Sequence, residues 1–399
     1  MSLGYTNLRI WDGTGDGYRP DADCIVVEDA AIVAVGLAAE LAPLRTIDAG
    51  GLTALPGLID AHVHLCLDPA LHSADAQLAL SDDAIRTAIR RRCHEMLSAG
   101  ITTARDLGGG RWLELEARDA VRDEDLAGPR LLCAGQPITS PLGHCHFWGG
   151  EADSLDAALA VLERQAVRAV DLIKVMATGG TMTPGSRPAD AQFDAPTLAG
   201  IVAAARRRGY PVAAHCHGTG GIRNAAEAGV ATIEHCSWVG AHGWAAHYEP
   251  EVARLIAARG VWVSPTVNVG WRRRLGTDET SGRVRANFAA MREAGVGLIA
   301  STDAGIPGVY HHQLAEALPI FADIAGLSPA ETLRAASSDA AVALGLAGVT
   351  GRLAPGLAPD VLLVEGDPLA DLGALASPVE VLTARGPTLG RLGAGRRPS

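Results

Sequence analysis

Between residues 56 and 345, short apolar segments alternate with longer stretches of helical periodicity, and this rhythm restricts the fold more than any other feature of the chain. The apolar segments fall at 57–65, 102–107, 130–138, 170–177, 211–217, 231–236, 261–266 and 296–302. Helical stretches at 82–98, 154–168, 195–208, 220–228, 250–259, 279–294 and 311–324 lie between most of them. Strands that alternate with helices form parallel sheets, because each crossover returns the chain to the same edge. Eight such units in about 290 residues match an α/β fold of the (β/α)8 TIM barrel type, whose active site is built at the carboxyl ends of the strands.

The flanks have a different texture. Residues 1–55 alternate apolar and polar in short stretches broken by turn signals, and the pattern returns at 361–365 and 379–384 around a Gly366-Asp367-Pro368 turn. The expected organisation is a composite β unit of residues 1–55 plus 346–399, with its strands in one small sheet, around a catalytic barrel of residues 56–345. The Gly, Arg and Pro content of 391–399 predicts a frayed tail.

Charge and composition exclude several classes of function. Lys plus Arg total 34 against 45 Asp plus Glu, a net charge of −11, which disfavours nucleic acid and anionic membrane as partners. The opening residues lack a basic-then-apolar leader pattern and there is no run of 18 apolar residues, so the expected location is cytoplasmic, with a homo-oligomer as the default assembly. Seven scattered cysteines without a C-x-x-C pair read as reduced, structural thiols. Aromatics make up only 4% of the chain, so the core must be aliphatic.

The chemistry concentrates at the ends of the expected strands. The first ends in Asp60-Ala61-His62-Val63-His64, the fifth in His215-Cys216-His217, the sixth in Glu234-His235-Cys236 and the eighth in Ser301-Thr302-Asp303. Alternation along a strand puts His62 and His64 on one face, and His215 and His217 likewise. Isolated histidines are usually structural, but histidines and a carboxylate converging from four strand ends form a metal-ligand set. Lys174, near the end of the fourth strand, is the chain's only lysine, since 33 of its 34 basic residues are Arg. Arg serves better in an ordinary ion pair, whereas a primary amine can lose its proton in a low-dielectric site and take up carbon dioxide as a carbamate.

The runs at 55–65 (LPGLIDAHVHL) and 302–305 (TDAG), with Lys174, His215 and His235, resemble the amidohydrolase superfamily. The segments at 143–153 (GHCHFWGGEAD), 174–185 (KVMATGGTMTPG) and 215–218 (HCHG) are similar to its imidazolonepropionase-like branch, which includes binuclear Xaa-Pro and Xaa-Arg dipeptidases and ochratoxin-hydrolysing amidases. The resemblance implies a barrel carrying a small β-sandwich domain built from both chain ends. It implies two divalent ions, zinc in the first instance, one held by His62, His64 and Asp303 and the other by His215 and His235. Carboxylated Lys174 and a hydroxide would bridge them, with Asp303 moving the proton from the attacking water to the leaving nitrogen. The implied activity is hydrolysis of an amide C–N bond in a small molecule, a dipeptide or N-acyl amino acid, with His144 and His217 facing the substrate.

Two alternatives accompany this reading: ring opening of a cyclic amide at a mononuclear site, and a catalytically dead barrel with an assembly role. A deaminase reading is weakened by Gly218, which stands where such enzymes carry a glutamate. His146 and Trp148 share the loop of His144. Arg105 is expected to be structural, in an ion pair near Asp106, and His311 and His312 to be ordinary residues at a helix start. The runs Arg206–Arg208 and Arg272–Arg274 are expected to be solvated faces.

Overall fold

The computed structural model describes residues 2–43, 45–390 and 392. Its centre is a ring of parallel strands: β1 (Leu58–Val63), β2 (Ile101–Asp106), β3 (Arg130–Cys133), β4 (Ile173–Met176), β5 (Val212–Gly218), β6 (Thr232–Val239) and β7 (Trp262–Ser264). Strands β1 to β3 form one ladder and β4 to β7 another, both in sequential order. Parallel bridges close the ring, with Ile138 pairing Val175, Val263 pairing Leu298, and Ala304 pairing Val63. The eighth position is an irregular stretch, 297–304, held by Ile299 N–H to the Val263 carbonyl at 2.9 Å and Asp303 N–H to the His62 carbonyl at 2.8 Å. The fold is therefore the (β/α)8 barrel that the alternation predicts.

Element boundaries differ where local chemistry interrupts a run. The expected third strand, 130–138, is regular only to Cys133, because Pro137 has no N–H for the ladder and Gly135 takes φ +71°. The helix after the eighth position spans Leu314–Ala325, so His311 and His312 precede it instead of starting it. A helix absent from the sequence reading, Leu113–Arg122, fills the crossover between β2 and β3.

The flanking residues form two sheets where one was expected. Strands Ala31–Gly36, Cys24–Glu28, Leu3–Thr6 and Thr46–Asp48 make the first. The second draws on both ends of the chain, in the order Gly386–Pro387, Glu380–Thr383, Val361–Val364, Thr53–Pro56 and Arg9–Ile10. Strand alternation divides Val361–Val364 between two cores. Val361 and Leu363 pack with Ile10, Ile25 and Ile32 inside the sandwich, whereas Leu362 and Val364 join the large aliphatic core that continues into the barrel wall. Of the 391–399 tail only Leu392 is among the described residues, so the expected fraying lies outside them. Among the described residues no helix is long and apolar enough to cross a membrane, and every cysteine is free.

Candidate active site

The carboxyl ends of the barrel strands open into a cavity of about 1110 Å³, lined by His62, His64, Lys174, His215, His235 and Asp303 among others. Two donor sets stand there, each with ligand atoms within 4.8 Å of one another: His62, His64 and Asp303, and His215, His217 and His235. Sharp backbone turns bring them in. Simple alternation would send Glu234 and His235 to opposite faces, but φ is +67° at His235 and +60° at Asp303, left-handed conformations that cost a non-glycine residue about 1–2 kcal/mol each.

Hydrogen bonds fix which nitrogen of each ring is free. His62 Nδ1 donates to Glu234 Oε2 at 2.9 Å, and His64 Nδ1 donates to the Gly108 carbonyl at 2.8 Å. The Nε2 lone pairs therefore face each other at 3.3 Å, with Asp303 Oδ1 at 3.3 and 3.4 Å from them. His215 Nε2 donates to the Gly179 carbonyl at 3.1 Å, leaving Nδ1 free, while His235 Nδ1 lies 2.9 Å from Thr266 Oγ1. Burial, reinforced by the charge of Lys174, pushes His62 down to about 4. Burial and the neighbouring histidines likewise hold His215 and His235 well below the usual histidine range. His64 goes the other way: burial lowers it, but Asp303, Asp106 and the Gly108 carbonyl together raise it above the usual histidine value. Burial would raise Asp303, but His62, His64 and Lys174 keep it below the usual carboxylate range. Two ring nitrogens and a carboxylate oxygen meeting within 3.4 Å is an arrangement that fits a metal cation.

Lys174 lies in the same cavity, 1% exposed, and its Nζ has no hydrogen-bond partner. An unsolvated ammonium there is costly, and burial pushes the group down to about 8 despite Glu234 and Asp303. An amine that gives up its proton more readily than usual and has no hydrogen-bond partner fits conversion to a carbamate, which would present two oxygens where a bare amine leaves its hydrogens unpaired.

The remaining expected residues divide. His144 lines the cavity, its ring centroid 4.6 Å from that of His215; a Cβ at Gly180 would stand 2.4 Å from its ring, so only glycine permits this approach. His217 also lines it, ties Nδ1 to Ser237 Oγ at 2.9 Å and adds a third nitrogen beside His215 and His235. His146 and Trp148 lie in the lining too. Arg105 is outside the lining, and its ion-pair partner is not the Asp106 neighbourhood: it reaches across the barrel to Glu234 at 2.8 Å, because Asp106 is occupied by the Leu65 and Gly108 N–H groups. His311 is buried and its Nε2 lies 3.0 Å from the His64 carbonyl, so it braces that strand end. Arg206–Arg208 are exposed as expected, and so are Arg272 and Arg273; Arg273 and the half-buried Arg274, both on the 3-10 segment Val269–Leu275, also line the cavity.

Sequence reasoning noted Glu234 without giving it a role. The structure gives it one: Oε1 meets Arg105 and Thr232 while Oε2 orients His62. Burial opposes its charge, yet Arg105 and His62 hold it well below the usual carboxylate range. A carboxylate that fixes the tautomer of a ligating histidine is the ordinary companion of a metal site.

The barrel and the histidines and carboxylate at its mouth place this chain among (β/α)8 proteins with a candidate metal site at the carboxyl ends of the strands. The chain belongs to the amidohydrolase family, whose model matches residues 53–384. It is 27% identical to ochratoxinase of Aspergillus niger over 96% of this chain and 84% of that one. It is 29% identical to imidazolonepropionase of Chloroflexus aggregans over 86% and 84%. Among solved structures, a Xaa-Pro dipeptidase with methionine bound in its active site superposes with a TM-score of 0.84 at 22% identity, covering 97% of this chain and 99% of that one. The chain is a hydrolase that acts on amide bonds of small molecules.

Proposed function

We propose that this hydrolase is binuclear and cleaves the amide C–N bond of a dipeptide or N-acyl amino acid. The observation that carries the reading is the convergence of His62 Nε2, His64 Nε2 and Asp303 Oδ1 within 3.4 Å, beside the unpartnered amine of Lys174. His62, His64 and Asp303 would hold one divalent ion and His215 and His235 the other, with Lys174 bridging as N6-carboxylysine. Nitrogen and oxygen donors of this kind suit zinc. The carbamate forms when the neutral Lys174 amine adds to the carbon of carbon dioxide and loses a proton. When bound, the ions supply Lewis acidity toward the scissile carbonyl and toward water.

The side chains supply the rest. Asp303, held anionic beside His62 and His64, accepts the proton of the attacking water and passes it to the leaving nitrogen, so that the amine departs neutral. Glu234 holds His62 in one tautomer, and Arg105 keeps Glu234 charged. His144 and His217 face the substrate, and four of the chain's seven tryptophans, Trp148, Trp238, Trp244 and Trp271, supply apolar walls that exclude water. The division into a composite sandwich, 1–55 plus 346–399, and a catalytic barrel, 56–345, then places all of this machinery on one unit.

The test is a panel of dipeptides, N-acyl amino acids and cyclic amides offered to the zinc-loaded protein prepared with bicarbonate. Release of a free amine from linear amides is the expected result. Consumption of cyclic amides with linear ones untouched would replace this reading by ring opening.

A further inference from the structure

Resting on that reading, we propose that Arg273 is the specificity-determining residue that binds the free carboxylate of the leaving group, restricting the enzyme to substrates with a negatively charged end. The 3-10 segment carrying it is anchored: Asn268 Nδ2 donates to the Thr302 carbonyl at 2.9 Å, and Asn268 Oδ1 accepts from Gly270 N–H at 3.0 Å. Thr302 adjoins Asp303, so this segment and the group that protonates the leaving nitrogen stand at neighbouring barrel positions. A leaving group whose nitrogen meets Asp303 would lie beside the strand end on which this segment is anchored.

The charges in the cavity favour an anion there. The chain carries a net −11, yet away from the metal-ligand cluster the charged residues in the lining are Arg273 and Arg274 against Asp75 alone. Asp303 is engaged by His62 and His64, Arg274 has Asp278 at 3.9 Å, and Asp75 belongs to a different segment, the first turn of the helix Ala74–Leu78. Arg273 alone of the two arginines has neither an ion pair nor a hydrogen bond among the described residues. Its neighbour Arg272 is outside the lining, which makes the pointing of Arg273 a property of the segment and not of the run. A guanidinium matches a carboxylate with two parallel N–H donors, a fit that an ammonium lacks.

The experiment uses a ligand that cannot be hydrolysed, so that binding is measured apart from turnover. N-(phenylsulfonyl)phenylalanine and N-(phenylsulfonyl)phenylalaninol, which has a hydroxymethyl group in place of the carboxylate and no amide bond, are titrated by calorimetry into the zinc-loaded wild type and the Arg273→Gln, Arg273→Lys and Arg272→Gln variants. The wild type and Arg272→Gln should bind the acid at least about 10-fold more tightly than the alcohol, the scale of a charge-assisted hydrogen bond. Arg273→Gln should erase that preference, and Arg273→Lys should restore only part of it. A wild type that fails to discriminate, including one that binds neither compound, overturns the proposal, as does an Arg273→Gln variant that keeps the preference. Discrimination through Arg273 without hydrolysis of any linear amide would leave this inference standing and overturn the amide-hydrolase reading instead.

Discussion

Glu234 and Glu114 are both buried carboxylates in the barrel wall, and their surroundings give them opposite fates. Glu234 has Arg105, Thr232 and His62 around its oxygens, whereas both oxygens of Glu114 lack a hydrogen-bond partner. Replacing Glu234 by Gln removes the charge that orients His62 and leaves Arg105 unpaired, so zinc affinity should fall by about 10- to 100-fold in a chelator competition. Burial, helped by the charge of Asp106, pushes Glu114 up to about 8 from an ordinary 4.5. The folded state then keeps a proton that the unfolded chain releases between those values, so stability falls as pH rises through that window, by at most about 1.4 kcal/mol per pH unit for one proton. Glu114→Gln imitates the neutral form. Its denaturation midpoint should match the wild type near pH 5 and exceed it at pH 9; a variant less stable than wild type at pH 9 would show that Glu114 is stably ionised in the fold. Neither role was legible in the sequence, because a partner 129 residues away, as Arg105 is from Glu234, leaves no local pattern.

At the scale of elements, period and punctuation carried most of the information. Six of the eight expected barrel segments contain regular strands at the expected places with little revision, and His62, His64 and Lys174 could be aligned because alternation holds up to β1 and β4. Alternation stopped being a guide where the backbone turns left-handed, at His235 and Asp303; Arg272 and Arg273 are exposed as expected, but the place of Arg273 at the cavity was hidden because the 3-10 fold of Val269–Leu275 has no apolar period to betray it. Close approaches were equally hidden. Gly150 packs so tightly against the stretch that follows β3 that an added Cβ would stand 1.9 Å from the Pro137 carbonyl. Backbone cannot yield as a flexible side chain does, so Gly150→Ala should cost about 3 kcal/mol and displace the loop bearing His144 and Trp148. Chemical denaturation reads the cost; unchanged stability would mean that the loop has room the structure does not show.

Over the whole molecule, the sandwich and the barrel share a core. Leu362, Val364 and Val381 of the sandwich pack in the same aliphatic cluster as Leu58, Leu97 and Ile101 of the barrel. Asp360, nearly buried, ties them further, accepting from Arg130 at 2.8 Å and from Thr350 at 2.7 Å. Removing Asp360 deprives the half-buried Arg130 and the buried Thr350 of their acceptor, so Asp360→Ala should lose about 1–2 kcal/mol while unfolding remains a single calorimetric transition. Two separated transitions would contradict the shared core. The account of the site meets its most direct test in the metal content and turnover of Lys174→Arg beside the wild type, both prepared with bicarbonate and saturating zinc. The wild type should carry close to two ions per chain by elemental analysis. The Arg variant, which cannot be carboxylated and would repel both ions, should lose metal and nearly all activity. Two ions and near-normal turnover in the Arg variant would contradict the bridge, and one ion in the saturated wild type would contradict the binuclear site.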